Sequence, residues 1–163
     1  MGNAHDYTQG GNNTLTGGNS SSGGTVYNFF FGTAQEMSDN THAGNNILIA
    51  GTADASSTVI NDMWGNAQTV GSNVTLGQDT FIFKDNVAAG QTVGTQNFIH
   101  DFSQSQHDLI MFVHVAGVTS FNDLLPFFDT ASDFGSTIIH AGNDVVTLVG
   151  FTGTLTAGDF LFA

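Results

Sequence analysis

Gly11-Asn12-Asn13-Thr14-Leu15-Thr16-Gly17-Gly18 returns 33 residues later, without a gap, as Gly44-Asn45-Asn46-Ile47-Leu48-Ile49-Ala50-Gly51. The correspondence runs on. Thr25, Val26 and Asn28 become Thr58, Val59 and Asn61, and Gly32, Ala34 and Gln35 become Gly65, Ala67 and Gln68. A third copy opens at the same offset with Gly77-Gln78-Asp79-Thr80-Phe81-Ile82-Phe83 and then fades. A fixed period of this size means stacked structural units, with like residues above like residues and each unit burying its apolar face against its neighbour. Short runs rich in β-formers, bounded by Gly, Asn and Ser, predict strands at Thr25–Phe31, 46–50, 58–60 and Thr80–Lys84. The reading is an all-β chain, a right-handed parallel β-roll or β-helix solenoid.

The chain has 163 residues, with Lys84 as its one basic side chain against fourteen carboxylates. Nucleic acid, whose phosphates need Lys and Arg, is excluded as a partner. Anionic membrane surfaces are unfavourable too, and no apolar run reaches the ~20 residues of a membrane span. With no cysteine, disulfides and thiol chemistry are absent. Met1–Asp6 carries neither the basic nor the apolar region of a cleavable signal peptide. No nucleophile motif, phosphate loop or arginine is present, so the expectation is a protein that is not an enzyme.

Character changes near residue 86, which suggests a repeat region over 1–86 and a second module over 87–163. The second module has longer apolar runs at 98–99, 109–115, 137–139 and 145–151, read as strands. Residues 120–125 predict one short helix stopped by Pro126, and 156–159 a last turn.

The segment Gly77-x-Asp79-Thr80-Phe81-Ile82-Phe83 resembles the closing step of repeat arrays in RTX (hemolysin-type) proteins. Ile99-His100-Asp101-Phe102, Asp108-Leu109-Ile110, Gly142-Asn143-Asp144-Val145 and Asp159-Phe160-Leu161-Phe162 are similar to the C-terminal modules of that family. The resemblance implies calcium binding, with Asp79, Asp101, Asp108 and Asp144 as the candidate ligands. It also implies export by a type I secretion apparatus that reads Asp159, Phe160, Leu161 and Phe162, and hence a secreted, extracellular or cell-surface location. A departure is that Asn13 and Asn46 stand where the repeat aspartate would be. A neutral amide adds no charge to a calcium site, so these two are expected to form a structural ladder. For each aspartate the alternative is a turn-capping or solvated carboxylate.

His100, His107 and His114 recur every seven residues, a spacing that alternates faces of a strand, and are expected to be unrelated. Phe29-Phe30-Phe31 cannot all face one way, and the next repeat has Asp62-Met63-Trp64 there. Phe29, Phe30, Phe31 and Trp64 are therefore interface candidates, the alternative being a strand covered on both faces. The first repeat begins within a few residues of Met1. This suggests that another copy covers the first coil, giving a head-to-tail homopolymer: a secreted structural protein forming a fibre or matrix. The competing expectation is an adhesin-like module that stacks Trp64, Tyr7 or Tyr27 on sugar rings.

Overall fold

The computed structural model describes residues 2–84, 95–129, 135–142 and 144–163. It is a parallel β-solenoid of about three turns with little helix. Its strands are β1 (Asn3–Ala4), β2 (Thr14–Thr16), β3 (Thr25–Phe31), β4 (Ala34–Met37), β5 (Ile47–Ile49), β6 (Thr58–Trp64) and β7 (Ala67–Val70). There follow β8 (Thr80–Lys84), β9 (Thr95–Ile99), β10 (Leu109–Val113), β11 (Phe128–Asp129), β12 (Thr137–Ala141), β13 (Asp144–Leu148) and β14 (Phe160–Phe162).

Register follows the sequence period. Thr14 pairs with Ile47, Thr25 with Thr58 and Ala34 with Ala67, each 33 residues apart. Among the described residues three sheets result, ordered β1-β4-β7, β14-β10-β8-β5-β2 and β11-β12-β13-β9-β6-β3. The first has no counterpart among the expected strands, because Ala34-Gln35-Glu36-Met37 and Ala67-Gln68-Thr69-Val70 are poor in β-formers. Stacking on an equivalent neighbour overrides that weak propensity. Beyond β8 the period loosens: Leu109 pairs with Thr80 and Thr95 with Val59. The nine residues between β9 and β10 cross over through a short 3-10 turn at Gln104–Gln106, with no strand of the first sheet.

Both longer sheets run through the two halves of the chain, and the expected boundary near residue 86 lies outside the described residues. The inner faces of these sheets enclose one core containing Phe30, Leu48, Met63, Phe81, Phe83, Ile99, Phe112 and Leu148. Ala34, Met37 and Ala67 form a small second cluster behind the three-stranded sheet. The last part of the solenoid turns antiparallel at β11-β12-β13. Helix α1 (Phe121–Leu124) lies where a helix was expected and ends before Pro126, which sits in a following 3-10 turn, Leu125–Phe127. Proline is tolerated there because the first-turn N–H has no intrahelical partner.

Glycine permits the tight corners. A Cβ on Gly44 would stand 2.3 Å from the Gly11 carbonyl oxygen, and one on Gly77 2.1 Å from that of Gly44. Backbone packs on backbone at this corner, rung after rung.

Candidate functional site

Asn12-Asn13 and Asn45-Asn46 open β2 and β5, Gln78-Asp79 and His107-Asp108 open β8 and β10, and the second residue of each step belongs to a continuous ladder along the stack. The backbone N–H of Asn13 donates to Asn46 Oδ1 at 3.1 Å, and that of Asn46 to Asp79 Oδ1 at 2.8 Å. The N–H of Asp79 then donates to Asp108 Oδ1 at 2.8 Å. The expected Asn13–Asn46 ladder is thus present, and it continues through two of the candidate calcium ligands.

The change from amide to acid has a chemical consequence. Asn13 Nδ2 donates to the carbonyls of Gly11 and Gly32, and Asn46 Nδ2 to those of Gly44 and Gly65. At Asp79 the corresponding atom is Oδ2, which is buried and has no hydrogen-bond partner. Burial pushes the Asp79 carboxyl up to about 6, with the nearby Asp101 charge adding to the rise and the Asn46 hydrogen bonds opposing it. Asp108 is pushed up to about 7, again chiefly by burial, helped by the charges of Asp79 and Asp101. Asp101 is raised by burial as well, against the pull of the Asn66 and Gly65 amides.

These aspartates are committed to the backbone. Asp101 Oδ1 accepts from Gly65 N–H at 2.7 Å and its Oδ2 from Asn66 N–H at 2.9 Å. Asp108 Oδ2 accepts from Ser103 N–H at 2.9 Å. Asp144 is buried at the start of β13, beside the β12–β13 turn, and Asn143 lies outside the described residues. Calcium takes six to eight oxygens. Among the described residues no three His, Asp or Glu side chains are grouped so as to hold a metal ion. Asp79, Asp101 and Asp108 spend most of their carboxylate oxygens on backbone amides, and Asp79 Oδ2 is the one buried side-chain oxygen of the Asn13-to-Asp108 ladder left without a partner.

A second ladder, formed by Asn28, Asn61 and Asn97, lies inside the six-stranded sheet. Asn28 Nδ2 donates to Asn61 Oδ1 at 2.9 Å and Asn61 Nδ2 to Asn97 Oδ1 at 2.8 Å. Asn28 also accepts from the Gly18 N–H and donates to the Gly18 carbonyl, and Asn61 treats Gly51 in the same way. Sequence reasoning aligned Asn28 with Asn61 but read no ladder from them; the signal was that alignment.

On the outer side of the same sheet, Phe31, Trp64 and His100 stack. Ring centroids are 5.0 Å apart for Phe31–Trp64 and 4.0 Å for Trp64–His100, with interplanar angles of 21° and 5°. His100 Nε2 lies 2.8 Å from Asp62 Oδ1. The equally spaced histidines part company here: His107 and His114 sit at corners with φ of 63° and 55°. Phe29, on the same outer side, is 57% exposed and Tyr27 62%, while Phe30 is buried in the core. Of the interface candidates, Phe29, Phe31 and Trp64 share the outer face and Phe30 does not.

Asp159, Phe160, Leu161 and Phe162 form a built part of the fold. Asp159 Oδ2 accepts from Thr156 N–H at 2.6 Å and from Gln104 Nε2 at 2.8 Å, closing a capping box on the last 3-10 turn. Strand β14 pairs with β10, and Phe160 packs among Phe112, Phe121, Phe128 and Phe162.

No protein-family model matches the chain, and no curated protein matches it. The class that the coordinates define is the parallel β-solenoid.

Proposed function

We propose that this chain is a non-catalytic structural protein of the cell exterior that associates with further copies of itself. The observation that supports the reading is the outer face of the six-stranded sheet, where Tyr27, Phe29, Phe31, Trp64 and Phe98 lie on neighbouring strands with Asp62 as the one carboxylate among them. An apolar surface on so acidic a chain is a contact surface rather than a chance exposure. Type I export remains part of the proposal through the RTX-like ending. Calcium enters as the counter-ion: divalent cations held by the surface carboxylates would screen repulsion between copies of net charge −13. For the glycan-binding alternative Trp64 is unsuited, because sugar stacking needs an open ring face and both of its faces are taken by Phe31 and His100, while Tyr7 and Tyr27 stay exposed.

Sedimentation velocity on the full chain, across concentration and with or without calcium, tests the reading. The wild type should form larger species, favoured by calcium. Phe29→Ser should weaken that association about tenfold or more, since a buried phenylalanine contributes roughly 1.5–3 kcal/mol. A wild type that stays monomeric at high concentration in calcium sinks it. Phe30→Ser is the wrong probe, because it would damage the core.

A further inference from the structure

The five-stranded sheet also has an outer face, and its chemistry differs from that of the aromatic one. Alternation along β5, β8, β10 and β14 turns Leu48, Phe81, Ile110, Phe112 and Phe160 inward. The opposite positions are Ile47, Ile49, Ile82, Leu109, Met111 and Leu161, with Ile47 39% and Leu161 42% exposed. Register lines them up in rows. Ile49, Ile82, Met111 and Leu161 follow one another across four strands, and Ile47, Thr80 and Leu109 form the row beside them. None of the chain's fourteen carboxylates lies on the outward positions of these strands, and its only base, Lys84, does.

From this arrangement we infer that the aliphatic outer face of the five-stranded sheet is a second self-contact surface, whose occupant is another copy of this chain. The inference rests on the self-association reading and deepens it. Charge selects the occupant. A cationic partner would be drawn to the carboxylate-bearing surfaces, and a second anionic copy can approach without like-charge contact only where carboxylates are missing. Shape agrees, because two parallel sheets of the same chain share the same strand spacing and the same two-residue pleat, so their side-chain rows can interdigitate at the usual ~10 Å sheet separation.

Size decides the consequence. Strand spacing and length give this face a planar footprint of roughly 300 Å². That is below the ~800 Å² per partner of a standard stable interface, so a pair joined through this face alone would be short-lived. The inner sides of the two longer sheets cover the same core, so their outer sides point away from each other. A copy gripping neighbours through both faces has two contacts that do not compete. Such a unit adds laterally without closing, and the product is an open array rather than a dimer.

Three full-length variants test this by sedimentation and light scattering, with circular dichroism as the folding control. Met111→Glu places a carboxylate in the middle of the face. The paired change Ile47→Thr with Ile49→Thr gives β5 the Thr-Leu-Thr pattern of β2 and keeps β-branched side chains, so it preserves the fold if the glutamate does not. Each is expected to lower the assembly size at least tenfold, leaving small closed species joined through the aromatic face. Adding Phe29→Ser to either should leave monomer. If the folded variants assemble to wild-type size, the aliphatic face is not a contact, although self-association itself survives. Adsorption of monomeric wild type to an apolar solid, without any self-association, overturns both.

Discussion

The rungs before β8 and those after it obey different rules. In the first region three strands per turn repeat at one fixed offset, the ladder residues are the neutral amides Asn13 and Asn46, and no buried side-chain atom of that ladder step lacks a partner. In the second region the offsets are unequal, one sheet has ended, and the ladder continues through Asp79 and Asp108, both buried. An exact repeat lets one solution to the hydrogen-bond problem be copied. At Asp79 the offset from Asn46 is still 33, but an oxygen replaces the donating Nδ2 and is left over; past it, Asp101 and Asp108 find their own backbone amides.

The largest effect should come from breaking the exact repeat at its tightest corner. Gly11 and Gly44 are equivalent in sequence, yet a Cβ on Gly11 meets nothing within 4 Å while one on Gly44 collides with the rung before it. Gly44→Ala should cost about 3 kcal/mol or more, as overpacking between two backbones cannot be relieved by a rotamer change. Gly11→Ala should be close to neutral in the same denaturant titration. Equal effects would mean that the rungs are not stacked as described.

The second test converts the irregular region toward the regular one. Asp79→Asn supplies an Nδ2 at the position where Asn13 and Asn46 donate to carbonyls, and it removes a buried unpaired atom. At pH 8 it should stabilise the chain by about 1–3 kcal/mol. The pH dependence has a definite sign. Asp79 and Asp108 have folded-state values raised to about 6 and about 7, above the ordinary ~3.9 of an unfolded aspartate. The native state therefore holds more protons between those limits. The stability they confer is complete below about pH 4 and is lost as pH rises through 6 to 7. Wild type should melt higher at pH 5 than at pH 8 in calcium-free buffer, and Asp79→Asn should show a shallower slope. If Asp79→Asn instead destabilises the chain only when calcium is present, Asp79 is a metal ligand.

The smallest effect sharpens the comparison within the regular region. Asn61 is buried and holds both polar groups of Gly51, whereas Asn28 does the same for Gly18 at the more exposed first rung. Asn61→Ala should cost about 2 kcal/mol by leaving buried groups unpaired, and Asn28→Ala about 1 kcal/mol or less. Thermal unfolding of the two variants checks the order.

The C-terminal strand alters how export can be probed. Removing residues 159–163 deletes a paired strand and the Phe160 cluster. A truncation that fails to leave the cell would then report misfolding as readily as a lost signal. Substitution at Leu161, whose side chain points outward, separates the two.

The period, the parallel stacking and the Asn13–Asn46 ladder were readable from residues 11–18 and 44–51, because an exact repeat carries its own register: equal spacing places like above like. Strand alternation alone set Phe29 and Phe31 opposite Phe30, and the structure showed that Phe30 is the one turned inward. The sheet built from Ala34–Met37 and Ala67–Val70 was not legible, since its residues have little preference for strand and gain one only by pairing with their equivalents. Nor were the Phe31–Trp64–His100 stack, the burial of Asp79 and Asp108, or the carboxylate-free aliphatic face. Each joins residues at unequal separations, and a local pattern holds no information about which distant strand will lie alongside. The sequence by itself determined that this chain stacks; the tertiary structure decided which acids the stack buries and which faces it leaves for a neighbour, because both depend on where the offset stops being constant.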